Sequence, residues 1–428
     1  MSRALALGRK TFSALAVANY RRYFFGQSVS LVGTWMQSVG QSWLVFTLTH
    51  SSTAIGLVLA FQTVPVLVFG PYAGVIADRV DKRRLMIVLQ SLMGVQALAL
   101  GLLAVTHVVN FPEVCTLAFL LGLNNAFENP ARQAFVLEMV GSGHVRNAVS
   151  LNSTTVNAAR AVGPAIAGVV IAVAGVGVCF LVNALSFVAV VYSLVSMDLS
   201  ALAPSEPTGR SKGQLREGLS YVAGSPRLAV VLVMLALIGT LSYEFQVTLP
   251  VLAKETFHGG AATYGLLTAA MGVGAAAGGL ATAARGRTGL RPYTLAGAGF
   301  GVAILLAALS PVLALEYVAL AGVGWASVAF LATGNSTLQL EAAPSMRGRV
   351  MALWAVGLMG STPIGGPLVG WIVAMGGARV GLGVGGLAAL AAAGIGLVAV
   401  SRLRSRGEAR EVLTNPPLAE LDLAAEGD

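Results

Sequence analysis

The apolar positions of this chain do not alternate with polar ones. They gather into long runs, near 24–48, 53–77, 85–106, 112–135, 148–174, 176–197, 228–250, 263–284, 292–310, 313–338, 350–375 and 378–400. Crossing about 30 Å of hydrocarbon takes roughly 20 residues in a helix, so each run is long enough to span a bilayer. Runs this long, rich in Gly and Ala and without a period of two, predict helices rather than barrel strands. The fold class expected is all-α integral membrane protein, twelve transmembrane helices in two six-helix halves. Its parts are an N-terminal segment (1–23), a first bundle (24–197), a central loop (198–227), a second bundle (228–400) and a tail (401–428).

Composition agrees: 56% of residues are hydrophobic, 11% are charged, and 52 are Gly. The net charge of +9 would suit a partner such as nucleic acid, but its placement explains it without one. Of 27 Lys and Arg, 24 fall in the N-terminal segment, the tail, or the loops after even-numbered spans. Lys254 and Arg379 lie on the other side, and Arg160 lies within a span. Positive residues stay on the cytoplasmic side, so both termini are expected in the cytoplasm of a multi-pass protein of the inner cell membrane.

The first 23 residues contain Ala16-Val17-Ala18, which looks like a cleavage site, but Arg9 and Lys10 interrupt the apolar region a signal peptide needs. An amphipathic helix on the inner membrane face is expected instead. In the central loop, Leu215, Leu219 and Val222 share a face at spacings of four and three. That predicts a short surface helix over 214–224, with a disordered linker as the alternative. Cys115 and Cys179 read as small buried hydrophobes rather than a disulfide, and the four His have no ligand spacing, so no metal site is expected.

An offset of 203 maps Glu138 onto Glu341, Arg146 onto Arg349, Gly163 onto Gly366 and Pro164 onto Pro367. A weaker echo at 209 links Gly56-Leu57 to Gly265-Leu266. The two halves are diverged repeats, an arrangement frequent in transporters.

The stretch "GVIADRVDKRRL" (Gly74–Leu85) puts six charged residues between two spans. With the twelve-span plan it resembles the major facilitator superfamily, whose loop between helices two and three reads G-x-x-x-D-R/K-x-G-R/K-R/K. Gly74, Asp78, Arg79, Lys82 and Arg83 match, and Asp81 replaces the usual Gly. The resemblance implies a conformational latch in which Asp78 bridges to the start of helix eleven, at Arg349, with Arg132 as a second candidate. The bland alternative is that the cations only anchor topology. "ARAVGPAIAG", with Gly163, Pro164 and Gly168, resembles the fifth-helix motif of the superfamily's exporters. Proline and small residues there predict a kinked, tightly packed helix. "RRYFFGQSVSLVGTWMQ", "FENPARQAFVLEMV" and "LREGLSYVAGSPRL" resemble the subgroup containing the enterobactin exporter and macrolide efflux proteins. Helix four lacks the intramembrane Arg common in drug–proton antiporters.

Ionisable groups inside a membrane are functional candidates by default. Three stand inside here: Glu128, Arg160 and Glu244. Arg160 lies about 18 Å from the inner end of its span at 1.5 Å per residue, near mid-membrane. Asn124 shares a face with Glu128, and Ser153 and Asn157 share one with Arg160. These faces suggest a lined cavity with an Arg160–Glu128 pair, either functional or merely structural. Glu244, beside Tyr243 and Gln246, is the preferred proton carrier, because burial penalises the charged form of a carboxyl group. Gln37, Gln41, Gln62 and Asn335 are candidate hydrogen-bonding groups for a substrate, and Trp35, Trp325 and Trp354 candidate apolar walls.

No Lys follows a Gly, so a GK[ST] phosphate loop is absent and ATP cannot be the direct energy source. There is no G-x-S-x-G or H-E-x-x-H to suggest an intramembrane enzyme. The resulting expectation is a non-enzymatic, cofactor-free secondary transporter that exports a bulky amphipathic small molecule by alternating access and exchanges it for protons. A dedicated siderophore or secondary-metabolite exporter is the alternative, and a non-transporting receptor a remote one. Its partners would be substrate, protons and membrane lipid, with no nucleic acid, and a monomer is the family expectation.

Overall fold

The structure, a computed structural model, describes residues 12–203 and 214–414. It is helical throughout, with no strand among those residues. Among the described residues, nine helical stretches are long and apolar enough to cross a membrane. Two of them, Phe111–Ala174 and Arg347–Leu403, each hold two spans, and the more polar Ala18–Thr49 completes twelve. Spans one to three are Ala18–Thr49, Ser52–Arg79 and Lys82–Val105, and span six is Val176–Val195. Spans eight to ten are Ala261–Arg285, Leu290–Leu309 and Leu313–Glu341.

The long runs are divided by glycine. Spans four and five meet at Gly141 (φ 65°) and spans eleven and twelve at Gly377 (φ 81°). A side chain is disfavoured at such a φ, so one residue does what a loop near 136–147 was expected to do. Two other spans are interrupted. Span seven runs Pro226–Ser242, breaks at Tyr243–Glu244, and resumes as Phe245–Val251 and a π-helical turn, Leu252–Thr256. Span eleven runs Arg347–Met359, breaks at Gly360–Ser361, and resumes at Thr362. Helical geometry continues through Pro164 and Pro367, so the breaks in spans seven and eleven lie away from the Gly-Pro pairs.

The N-terminal segment sits on the same side as the turn after span four and the loop after span six. Ala14 N–H donates to Asn147 Oδ1 (2.9 Å), Tyr20 Oη to the Ala148 carbonyl (3.0 Å), and Asn19 Nδ2 to the Asp198 carbonyl (2.7 Å). This is called the terminal side below. A 3-10 turn, Ser13–Ala16, precedes span one, and the rest of the expected amphipathic segment, 1–11, lies outside the described residues.

The halves meet along two seams, span two against eleven and span five against eight. Glycine makes both possible. A methyl group at Gly56 would run into the backbone of Gly366 and Pro367, and one at Gly265 into the backbone of Pro164 and Gly168. These are the residues related by the two sequence offsets, so the repeat is visible as two equivalent contacts. Gly370 against Ser52–Thr53 and Gly168 against Ala261–Ala262 extend each seam away from the terminal side. Toward the terminal side the seams part. Gly70 continues the stripe of Gly56 along span two, yet nothing lies within 4 Å of a methyl group placed there. Thr154 and Ala158, on the span-five face that holds Ala161 and Gly168 against span eight, are exposed.

Candidate functional site

Between the seams, a cavity of about 140 Å³ is lined by Trp35, Gln37, Gln41 and Gln62 among others of the first half, and by Gln246 of the second. Its floor is a chain of amides crossing four spans. Asn183 Nδ2 donates to Gln37 Oε1 (2.6 Å), Gln37 Nε2 to Gln96 Oε1 (2.9 Å), and Gln96 Nε2 to the Leu117 carbonyl (3.3 Å). Gln41 Nε2 donates to Gln62 Oε1 at 3.2 Å. A buried amide is tolerated only when paired, so the network fixes the side chains that border the cavity. Gln96, Asn183 and Asn125 were not picked out from the sequence, although Gln96 and Asn183 are polar residues in long apolar runs and stand out on that ground.

Arg160 lies over the Trp35 ring, 5.0 Å from its centroid, and Gly163 makes room for Trp35 and Val32 one turn on. The expected Arg160–Glu128 pair does not form. Glu128 Oε1 accepts from Arg132 Nε (2.9 Å) and from Gln90 Nε2 (3.3 Å), and Arg132 Nη2 donates to Asn129 (3.0 Å). One turn of helix brings Arg132 to Glu128 at no tertiary cost. Asn124 Nδ2 donates to the Leu89 carbonyl (2.9 Å), facing span three, and Asn157 bonds back to Ser153 of its own helix (2.9 Å). The two polar faces therefore do not line one cavity.

In the second half, Tyr243 Oη donates to the Ser327 carbonyl (2.9 Å) and its ring sits 5.0 Å from that of Phe300. Glu244 is buried at the break in span seven. Its Oε1 has no hydrogen-bond partner and approaches Gly365, just after the break in span eleven. Two interrupted helices thus enclose one carboxyl group. Trp354 is buried against Gly334, Trp325 packs its backbone on Gly278, and Asn335 accepts from Gln339 Nε2 (2.6 Å). None of the three is among the lining residues of this cavity. Glu316, missed at the sequence level, is fully buried in the first turn of span ten with neither carboxyl oxygen hydrogen-bonded. It lies near Arg379, which donates to the Ser310 carbonyl at 2.7 Å.

In the charged stretch after span two, Asp81, Lys82 and Arg83 make their contacts within the first half. Lys82 Nζ is 2.8 Å from Glu138 Oε1 in a buried ion pair. Arg83 donates to the Leu194 and Val195 carbonyls (2.7 and 2.9 Å), capping span six. Asp81, standing where the superfamily has Gly, caps span three by accepting from the Arg84 N–H (2.9 Å). Gly74 is buried and Arg79 exposed, and the side chain of Asp78 lies outside the described residues.

Among the described side chains, the expected partners of Asp78 make contacts of their own: Arg132 holds Glu128, and Arg349 Nη1 is 2.9 Å from Glu217 Oε1. Glu217 belongs to the central helix, Gln214–Ala223, which packs on spans seven and eleven. Its packed face is Gly218, Tyr221 and Val222, with Leu219 exposed. Arg349 is thus paired with the central helix where the seams have parted.

A family model described as transmembrane secretion effector matches residues 9–426. The chain belongs to this family, a branch of the major facilitator superfamily. Among curated relatives, it is 29% identical over 255 residues to the staphyloferrin A transporter of Staphylococcus aureus, covering 59% of this chain and 64% of that protein. It is 28% identical over 413 residues to the enterobactin exporter EntS of Citrobacter koseri, covering 94% and 95%. Among solved structures, a POT family transporter in complex with a thioalcohol-conjugated peptide superposes with a TM-score of 0.72 at 11% identity (90% and 96% covered). A bacterial homologue of the lysosomal transporter Spinster, inward-facing and unoccupied, gives 0.66 at 12% (90% and 95%). The chain is a multi-pass membrane transporter with the major facilitator fold.

Proposed function

We propose that this transporter exports a bulky amphipathic small molecule of the siderophore or secondary-metabolite class, by alternating access and in exchange for protons. The observation that carries the reading is the central cavity. It is bordered by side chains from both halves, closed on one side by the repeated Gly-Pro contacts, and flanked by seams that part on the terminal side. The positive-inside rule favours a cytoplasmic terminal side, and seams that part there support a reading in which the cavity loads from inside. The names of the relatives, an enterobactin exporter and a staphyloferrin A transporter, favour a siderophore over a general drug.

Glu244 is the proton carrier in this reading. A carboxyl group buried without a cation is cheapest when neutral, and its position between two interrupted helices ties its protonation to their arrangement. Glu128 is a poorer candidate because Arg132 already compensates its charge. The latch between Asp78 and Arg349 belongs to the opposite state, in which the terminal-side seams close and Arg349 leaves Glu217.

Efflux of a dye and of a labelled siderophore from vesicles under an imposed proton gradient tests this, with Glu244→Gln and Glu128→Gln as variants. Gradient-driven export lost in Glu244→Gln and kept in Glu128→Gln is the expected result. Normal pumping by Glu244→Gln, or indifference to the gradient, sinks the coupling scheme. Export of the dye but not the siderophore returns the substrate to the multidrug class.

A further inference from the structure

Arg160 has a cation's needs and no anion. Its Nε is buried without an acceptor, and among the described residues it makes no hydrogen bond or ion pair. Among the described residues no acid forms an ion pair with it: Glu128 is held by Arg132, Glu138 by Lys82 at the terminal end, and Glu244 faces Gly365. A guanidinium cannot shed its proton to escape the cost of burial, as a lysine can. What holds it is the face of Trp35, and an aromatic face offsets only part of what a carboxylate would. A charge left this way in a membrane span is a site waiting for its counter-ion.

We propose that the missing counter-ion is carried by the cargo: the substrate bears a carboxylate or other bidentate oxyanion that docks on Arg160. This rests on the export reading and names the substrate class for that site.

Four features of the surroundings fit such a ligand. The planar guanidinium offers two parallel donors to an oxyanion. Trp35 lines the cavity and connects it to Arg160, which lies over the same ring and is not itself a lining residue, so the ring can pack on the apolar body of a molecule whose anion reaches the guanidinium. The amides of Gln41, Gln62 and Gln246 border the cavity and can take neutral hydrogen bonds. Tyr243, on the other half, lies near Arg160, so an anion held there is in reach of both halves. The approach is suited as well. Ser153 and Asn157 continue the Arg160 face toward the open side, where the excess of Lys and Arg attracts anions into the cleft.

The test uses the full chain in lipid nanodiscs and three matched probes: 1-pyrenebutyrate, 1-pyrenebutanol and the corresponding pyrenylbutyl-trimethylammonium. Binding is read by energy transfer from tryptophan to pyrene. The wild type is expected to bind the butyrate at least tenfold more tightly than the alcohol, and the ammonium most weakly. Arg160→Lys should keep a preference for the butyrate, reduced to a few-fold, and Arg160→Gln should bring butyrate and alcohol within twofold. Arg160→Gln removes an unpaired charge and should fold; its alcohol affinity and melting curve check that, and Arg160→Lys carries the test if it does not. Equal wild-type affinity for butyrate and alcohol, no binding of the butyrate, or a preference that survives Arg160→Gln overturns the proposal. Vesicle efflux separates it from the export reading. Efflux of the alcohol with no anion preference keeps export and removes the anion site, whereas a selective site with no efflux of any probe keeps the site and removes export.

Discussion

Gly56 and Gly70 lie on one stripe of span two, fourteen residues apart, and adding a methyl group to each should push the transporter in opposite directions. At Gly56 the new carbon would stand 2.7 Å from the Pro367 nitrogen and closer still to the Gly366 carbonyl. Backbone cannot rotate away as a side chain can, so the halves must retreat by about 1 Å on the side opposite the termini. Overpacking of this kind costs about 1–3 kcal/mol, which is about 5- to 150-fold in a two-state equilibrium. Gly56→Ala therefore favours the state open on that side. At Gly70 a methyl group meets nothing within 4 Å. It costs nothing here but obstructs closure of the same seam on the terminal side, so Gly70→Ala favours the present state. Distances between spin labels at Leu57 and Met375 report one side, and at Tyr72 and Met359 the other, with Cys115 and Cys179 replaced by Ala. The Leu57–Met375 distribution should lengthen in Gly56→Ala, and the short Tyr72–Met359 population should vanish in Gly70→Ala. Unchanged distributions in both variants, or shifts of the same sign, would refute the idea that the glycine stripe is the hinge of alternating access.

Three further outcomes follow from the contacts. Lys82→Met breaks a buried ion pair and should cost about 3 kcal/mol or more, seen as a lower melting temperature in detergent, whereas Arg84→Met, exposed beside Asp81, should change little. Asn183→Ala withdraws the donor from Gln37 Oε1 and should destabilise by about 1–3 kcal/mol; Gln37→Leu in the same background should relieve part of that loss. Glu217→Ala removes a pair whose acid is largely exposed, so its cost is about 1 kcal/mol or less. Its effect should instead appear as faster tryptic cleavage next to the central helix, and Arg349→Ala should add nothing to it.

Hydrophobicity alone determined the twelve spans, their pairing into halves and the class of the protein, because in a bilayer every apolar stretch long enough to cross must satisfy its own backbone as helix. The repeat was legible too, since Gly56, Gly265, Pro164, Gly366 and Pro367 are among the residues where the seams bring backbone against backbone. Which charges meet was not legible. Arg160, Glu128 and Arg132 are all plausible partners by spacing, and only the packing of span one, which lays Trp35 against Arg160, together with the single helical turn from Glu128 to Arg132, decided that the acid goes to one arginine and leaves the other bare. Glu316 and the amides of Gln96 and Asn183 passed unnoticed because a polar residue in an apolar run has no partner until neighbouring spans supply one. The sequence specified what must be buried in the membrane; tertiary structure chose which buried groups are paired and which stay open to a ligand, because that depends on the angle and depth at which helices cross, and no periodicity along a single chain encodes either.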